Sequence, residues 1–197
     1  MNMVMVLVLM CIIPNHFFIS KRYLNTIVIS YTFRDIFRAI KFFDDYREEI
    51  IKIFDLPTYT IEPKTIFIHH RLGDYKKLTK FHKIISEEYI SSSLSYFAVR
   101  GYKKFLVFSD EIEESKKIIN SDIYNLLEFV YSGSNSEEQD LGMMAACAGG
   151  VMSASSFSWW GAYLGSQDRM ITYPRDWFGE ELKHNTKDLC PENWIAI

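Results

Sequence analysis

The part of this chain best equipped for chemistry is a short apolar strand that ends in ionisable residues. Ile66-Phe67-Ile68 runs directly into His69-His70-Arg71-Leu72-Gly73-Asp74-Tyr75. An apolar run that stops in His, Arg, Gly and Asp puts titratable side chains at the open end of a sheet strand, where α/β proteins bind ligands. Arg71 carries a permanent charge and a fork of N–H donors suited to a phosphate oxygen. A second stretch, Ser153-Ala154-Ser155-Ser156-Phe157-Ser158-Trp159-Trp160-Gly161, sets small hydroxyl residues at a strand-to-helix turn. There the backbone N–H groups and the helix dipole together favour an anion. Trp159 and Trp160 read as packing residues.

These groups need elements to hold them, and from Thr65 onward the chain alternates between β-rich runs and helical stretches. Residues 65–69, 104–109, 128–131, 150–153 and 169–173 are strand-like. Residues 86–100, 111–120, 137–148 and 157–165 read as helices, the third opened by a capping box from Ser136 to Gln139. The alternation predicts an α/β fold: a Rossmann-like parallel sheet with flanking helices. In such a sheet the carboxyl ends of the strands share one edge. His69, Arg71 and Asp74 should therefore meet Ser109 and Asp110, the loop 132–140 and the Ser153–Ser156 turn.

Ahead of the sheet, Phe33, Ile36, Phe37, Ile40, Phe43, Ile50, Ile51 and Phe54 recur at mostly helical spacing, an amphipathic helix or helix pair ending before Pro57. Pro57 and Pro63 mark 56–64 as a linker, so the expected division is an N-terminal segment, 1–56, and a main domain, 65–197. Residues 3–13 are an unbroken apolar run, too short to span a bilayer comfortably and with no basic residue ahead of it. It reads as a buried strand, a membrane anchor or the interior of a longer reading frame. As an anchor, with Lys21 and Arg22 behind it, it would keep the remainder cytoplasmic.

With 22 basic and 25 acidic residues the net charge is -3, and nothing global points to nucleic acid. Locally, Lys64, Arg71, Lys76, Lys77, Lys80 and Lys83 face only Asp74, an anion-attracting zone or a solvated basic face. The 3 cysteines, Cys11, Cys147 and Cys190, fit neither a disulfide framework nor a zinc site. No Asp-x-Asp pair signals a divalent ion on a diphosphate. Neither a G-x-G-x-x-G fingerprint nor a Walker lysine loop is present, which counts against a dinucleotide oxidoreductase and a P-loop enzyme. A Gly-x-Ser-x-Gly elbow is absent as well.

His69-His70-Arg71-Leu72-Gly73-Asp74-Tyr75 resembles the His-x-Arg-Arg-Gly-Asp-Tyr motif of family 11 glycosyltransferases, the α-1,2-fucosyltransferases. Phe108-Ser109-Asp110, the helix from Asp140 to Cys147, Ser155 to Ala162 and Pro191-Glu192-Asn193-Trp194-Ile195 are similar to later blocks of that family, in the same order. The resemblance implies inverting, metal-independent transfer of fucose from GDP-β-L-fucose, the donor substrate, to the hydroxyl of a galactoside-terminated glycan. It also implies a fold of two Rossmann-like halves, the GT-B arrangement, with 65–197 as the donor-binding half. By the same resemblance Arg71 would contact the donor β-phosphate. Asp110 and Asp140 would lie on the guanosine side with Ser109 nearby, and Ser155, Ser156 and Phe157 beside the phosphate and nucleoside. His69 and Asp74 both qualify as acceptor of the incoming hydroxyl's proton.

Two departures from the family pattern bear on activity. Leu72 stands where the motif has a second arginine, which should lower donor affinity or rate if both arginines touch the donor. A Gly-Gly-Leu-Gly-Asn-Gln type loop, the mark of the family's first half, is not found ahead of His69. The alternative expectation is therefore a GDP-sugar-binding fragment that is non-catalytic or works with a partner chain. A further one is an unrelated α/β transferase using another activated sugar.

Overall fold

The computed structural model describes residues 46–120, 122–182, 186 and 188–197. Contacts divide the chain into two compact units, Met1–Asp55 with His184–Pro191, and Leu56–Lys183 with Glu192–Ile197. In the first unit the described helix is α1, Arg47–Phe54. Glu48 and Glu49 in its first turn and Lys52 in its last complement the dipole. It closes at Asp55, whose left-handed backbone (φ 44°) lets its N–H reach the Ile51 carbonyl at 3.2 Å. The expected helix over 31–54 is thus seen from Arg47 on; its earlier part, the apolar run 3–13 and Cys11 lie outside the described residues. Among the described residues no helix is long and apolar enough to cross a membrane.

The second unit is built on a six-stranded sheet in the order β3-β2-β1-β4-β5-β6, every neighbouring pair parallel. The strands are β1 (Thr65–His70), β2 (Lys104–Ser109), β3 (Glu128–Tyr131), β4 (Gly149–Val151), β5 (Met170–Tyr173) and β6 (Ile195–Ala196). The helices are α2 (Glu87–Ala98), α3 (Ile112–Ile118), α4 (Glu137–Ala146) and α5 (Ser156–Tyr163). The chain lays β2 and β3 on one side of β1, then crosses back to place β4 on the other. That reversal opens a crevice between the carboxyl ends of β1 and β4.

All six residues of β1 are buried, as a central parallel strand requires. Alternation sends Ile66 and Ile68 to one face. There they join Phe105, Val107 and Val151 of the sheet, Ile90, Leu94 and Phe97 of α2, and Ile119. Phe67 and His69 point to the other face. Gly150 lies opposite Phe67 in the β1–β4 register, and a Cβ at Gly150 would sit 2.1 Å from the Phe67 ring, so glycine here lets the aromatic ring lie flat on β4. Between the α4 and α5 ends, Arg169 Nη1 donates to the carbonyls of Met144 (2.7 Å), Ala145 (3.3 Å) and Cys147 (3.0 Å). Its Nη2 donates to those of Gly161 (2.5 Å) and Ala162 (2.6 Å).

In the sheet unit the boundaries of the elements expected from Thr65 onward fall within two residues of those the sequence predicts. β4 spans Gly149–Val151, so Ser153 lies past the strand, in the turn. The two-residue β6, unforeseen from sequence, pairs with Thr172 and Tyr173 of β5. Trp159 and Trp160 are buried, meet each other edge to face at 5.0 Å and pack on Tyr163, as packing residues. Cys147 and Cys190 are free thiols; burial pushes the Cys147 thiol up to about 12.

Candidate functional site

One hydroxyl fastens the two sides of the crevice. Ser153 Oγ donates to the carbonyl of His69 at 2.6 Å and accepts the N–H of Arg71 at 3.0 Å, while the Ser153 N–H donates to Ser158 Oγ at 3.1 Å. Tyr75 adds a second tie by donating its hydroxyl to the Ala154 carbonyl at 3.1 Å, and its ring stacks on His82 at 4.5 Å. Burial raises the Tyr75 pKa, so the phenol keeps the proton it donates. The two polar stretches singled out in the sequence are thus brought together at the carboxyl ends of β1 and β4.

At its centre is Arg71, with a third of its side chain exposed (34%). Its Nε donates to Asp74 Oδ1 at 3.1 Å and lies 3.2 Å from Asp110 Oδ2; its Nη2 is 2.9 Å from Asp74 Oδ1. Beside it stands the N-terminus of α5. The first bond back along that helix runs from the Trp159 N–H to the Ser155 carbonyl, so the N–H groups of Ser156, Phe157 and Ser158 have no carbonyl one turn behind them. Ser155, the N-cap residue, makes no side-chain cap bond. The other described helices, α1 to α4, all carry acidic residues in their first turns, and α5 carries none. Its positive end is therefore not offset by a carboxylate of its own turn.

The two histidines face opposite sides of the sheet. His69 is 4% exposed, its ring centroid 5.3 Å from that of Phe157 and its Nδ1 buried without a hydrogen bond. Burial, reinforced by Arg71, pulls its pKa down to about 3. His70 turns the other way, its Nδ1 3.0 Å from Ser115 Oγ of α3. Burial lowers its pKa to about 4, against an opposing pull from Asp110 and Glu114. Both rings are neutral at pH 7.

The remaining candidates divide. Ser109 Oγ donates to the His70 carbonyl at 2.7 Å and accepts the Glu111 N–H at 3.1 Å, so its hydroxyl serves the β1–β2 edge. Asp110 reaches into the Arg71 turn and takes the Leu72 N–H at 2.9 Å. Asp140 belongs to a separate group: its Oδ1 accepts Ser132 Oγ at 2.8 Å and Asn135 Nδ2 at 3.0 Å. That group follows β3, two strands from β1 and so about 10 Å along the sheet edge. The basic zone is weaker than its composition implies, since Lys76 pairs with Glu114, Lys80 with Glu181 at 3.2 Å and Lys83 with Asp176 at 2.9 Å. Leu72 is 3% exposed. Among the described residues no group of three or more His, Cys, Asp or Glu is placed to hold a metal ion.

Sequence reasoning gave no role to Tyr75, to the His70–Ser115 pair or to Arg169. Tyr75 closes the motif, which is a signal of a kind. Ser115 and Arg169 stand in ordinary helical and loop contexts, and their partners lie 45 and up to 25 residues away.

The chain is 30% identical over 193 residues to an alpha-1,2-colitosyltransferase of Escherichia coli, covering 90% of this chain and 66% of that protein. It is 29% identical over 142 residues to the O-antigen biosynthesis glycosyltransferase WbnK of Escherichia coli, covering 68% of this chain and 44% of that one. The chain thus spans less than two thirds of the length of either relative. Among solved structures, E. coli heptosyltransferase WaaC with ADP-2-deoxy-2-fluoro heptose aligns with a TM-score of 0.47 at 16% identity, over 75% of this chain and 41% of that one. The model of glycosyl transferase family 11 matches residues 11–197, and the chain belongs to that family.

Proposed function

We propose that residues 65–197 form the donor side of a galactoside α-1,2-fucosyltransferase that moves fucose from GDP-β-L-fucose to a galactoside hydroxyl with inversion. The observation that carries this reading is Arg71, held by Ser153 next to the open N-terminus of α5. In the reaction the bond between the anomeric carbon and the β-phosphate oxygen breaks, and its electron pair leaves with GDP. Arg71 and the first-turn N–H groups of α5 would meet that growing charge, a role set donors fill well because they need no reorganisation as charge develops. No step in this reading calls on a divalent ion. The acceptor hydroxyl attacks the opposite face and gives up its proton. For that proton Asp74 is better suited than His69, because a ring with a pKa of about 3 is a weak base at pH 7. Asp74 is 45% exposed and only its Oδ1 is engaged.

A donor of the same class carrying colitose, the 3-deoxy counterpart of fucose, is the rival suggested by the first relative's name. A GDP-sugar-binding part that turns over only with a partner chain is the alternative suggested by the share of the relatives' length that is spanned. Calorimetry with GDP, GDP-fucose and GDP-colitose, followed by a transfer assay on lactose, separates these readings. Binding that is lost in Arg71→Ala, with fucose transfer, supports the proposal. Binding without turnover selects the partner-dependent part, and binding indifferent to Arg71→Ala overturns the site.

A further inference from the structure

Arg71 is touched by two carboxylates that come from different places in the chain. Asp74 lies three residues on, in the same turn, and travels with it. Asp110 comes from the end of β2, and its position relative to β1 is set independently: His70 is in register with Ser109, and Ser109 Oγ donates to the His70 carbonyl at 2.7 Å. From that anchor Asp110 divides its two oxygens. Oδ1 accepts the Leu72 N–H at 2.9 Å and so fixes the backbone just after Arg71; Oδ2 lies 3.2 Å from Arg71 Nε and orients the guanidinium. The turn is shaped around this carboxylate, because a Cβ at Gly73 would come within 2.4 Å of Asp110 Oδ2. Both oxygens are thus engaged within the turn, which is hard to reconcile with the nucleoside contact expected of Asp110 from the family resemblance.

We infer that Asp110 is a positioning residue that aims Arg71 at the donor diphosphate and does not itself contact the nucleoside. The inference rests on the diphosphate reading of Arg71. It gives the neighbouring acids different duties: Asp110 holds backbone and side chain from outside the turn, and Asp74 is the turn's own exposed acid.

The test is GDP calorimetry on the full chain with Arg71→Ala, Asp110→Asn and the double variant, each with a thermal melt. An asparagine at 110 still offers an oxygen to the Leu72 N–H, but it turns an amide donor toward Arg71 Nε and leaves the guanidinium to the pull of Asp74 alone. The expected result is a GDP affinity about tenfold or more weaker in Asp110→Asn, the scale of one charge-assisted hydrogen bond, and no further loss when it is added to Arg71→Ala. Should Asp110→Asn fail to fold, Gly73→Ala displaces the same carboxylate and should show the same dependence on Arg71. A loss that persists undiminished in the Arg71→Ala background would overturn the inference, since it would mean that Asp110 touches the ligand or merely supports the fold. Unchanged affinity in Asp110→Asn, alongside a clear loss in Arg71→Ala, would overturn it as well. If Arg71→Ala binds GDP like the unmodified chain, it is the diphosphate reading that fails.

Discussion

Ser153 donates its hydroxyl to the carbonyl of His69 at 2.6 Å, joining the turn after β4 to the end of β1 across the crevice. Because the same oxygen accepts the Arg71 N–H, a single atom sets where the guanidinium leaves the sheet. Ser153 is 1% exposed, so removing the oxygen deprives a buried carbonyl and a part-buried N–H of their partner. Ser153→Ala should cost about 1–3 kcal/mol of stability and weaken GDP binding in parallel. Urea denaturation and calorimetry would check both, and a variant as stable and as avid as the parent would show that the link is incidental.

Leu72 occupies the place of an arginine in the family motif, and its burial changes what that means. At 3% exposure the side chain points into the protein, and its N–H is held by Asp110. An arginine introduced there would have to bury a charge or force the turn open, either of which is costly. Leu72→Arg should therefore lower the melting temperature and leave GDP affinity unimproved. A gain in affinity at undiminished stability would show that position 72 reaches the donor.

What could be read from the chain beforehand was whatever depends on near neighbours. The capping box at Ser136 is complete, with the Gln139 side chain accepting the Ser136 N–H at 2.8 Å and Ser136 Oγ accepting the Gln139 N–H at 3.3 Å, because its partners are three residues apart. The strand-to-helix rhythm was legible for the same reason, and a parallel sheet then forces Arg71, Asp110 and Ser153 onto one edge. What each polar atom does there was not legible. That the Ser109 hydroxyl donates to the His70 carbonyl is fixed by the β1–β2 register, which pairs residues far apart in the chain. Whether the basic stretch around Arg71 attracts anions or is a solvated face depends on partners distant in sequence: Lys76, Lys83 and Lys80 pair with Glu114, Asp176 and Glu181, 38 to 101 positions away. β6, at two residues, is too short to show any alternation.

Stability should fall in mild acid because of His69 and His70. Unfolded, both rings take up protons from about pH 6.5 downward; folded, they do so only near 3 and 4. Through that window the unfolded state binds more protons, so stability is highest above about pH 6.5 and declines as pH drops, by at most about 1.4 kcal/mol per pH unit for each ring. Urea midpoints at pH 7.5 and 5.5 measure the slope. His70→Asn keeps a polar atom near Ser115 and removes one titration, so it should flatten the slope; an unchanged slope would clear His70 of any part in it.

Arg169 is the residue whose loss should damage the fold most. It is 7% exposed, donates to five carbonyls at the ends of α4 and α5, and lies with its guanidinium carbon 5.6 Å from the centre of the Phe67 ring. Helix C-termini are rich in carbonyls without intrahelical partners, and the dipoles of both helices favour a cation there. A planar fork reaches two helix ends at once, whereas an ammonium offers three donors from one point. Arg169→Lys should thus cost about 2 kcal/mol or more, since bonds to a charged donor are worth roughly 1.5–3 kcal/mol each. Arg169→Met, which leaves the carbonyls facing a thioether, should cost more still. Since α5 also carries the open N-terminus beside Arg71, the loss should extend to ligand binding. GDP affinity would then fall in Arg169→Lys even at temperatures where the chain remains folded. A variant that binds GDP normally while melting earlier would confine Arg169 to the packing of the two helices.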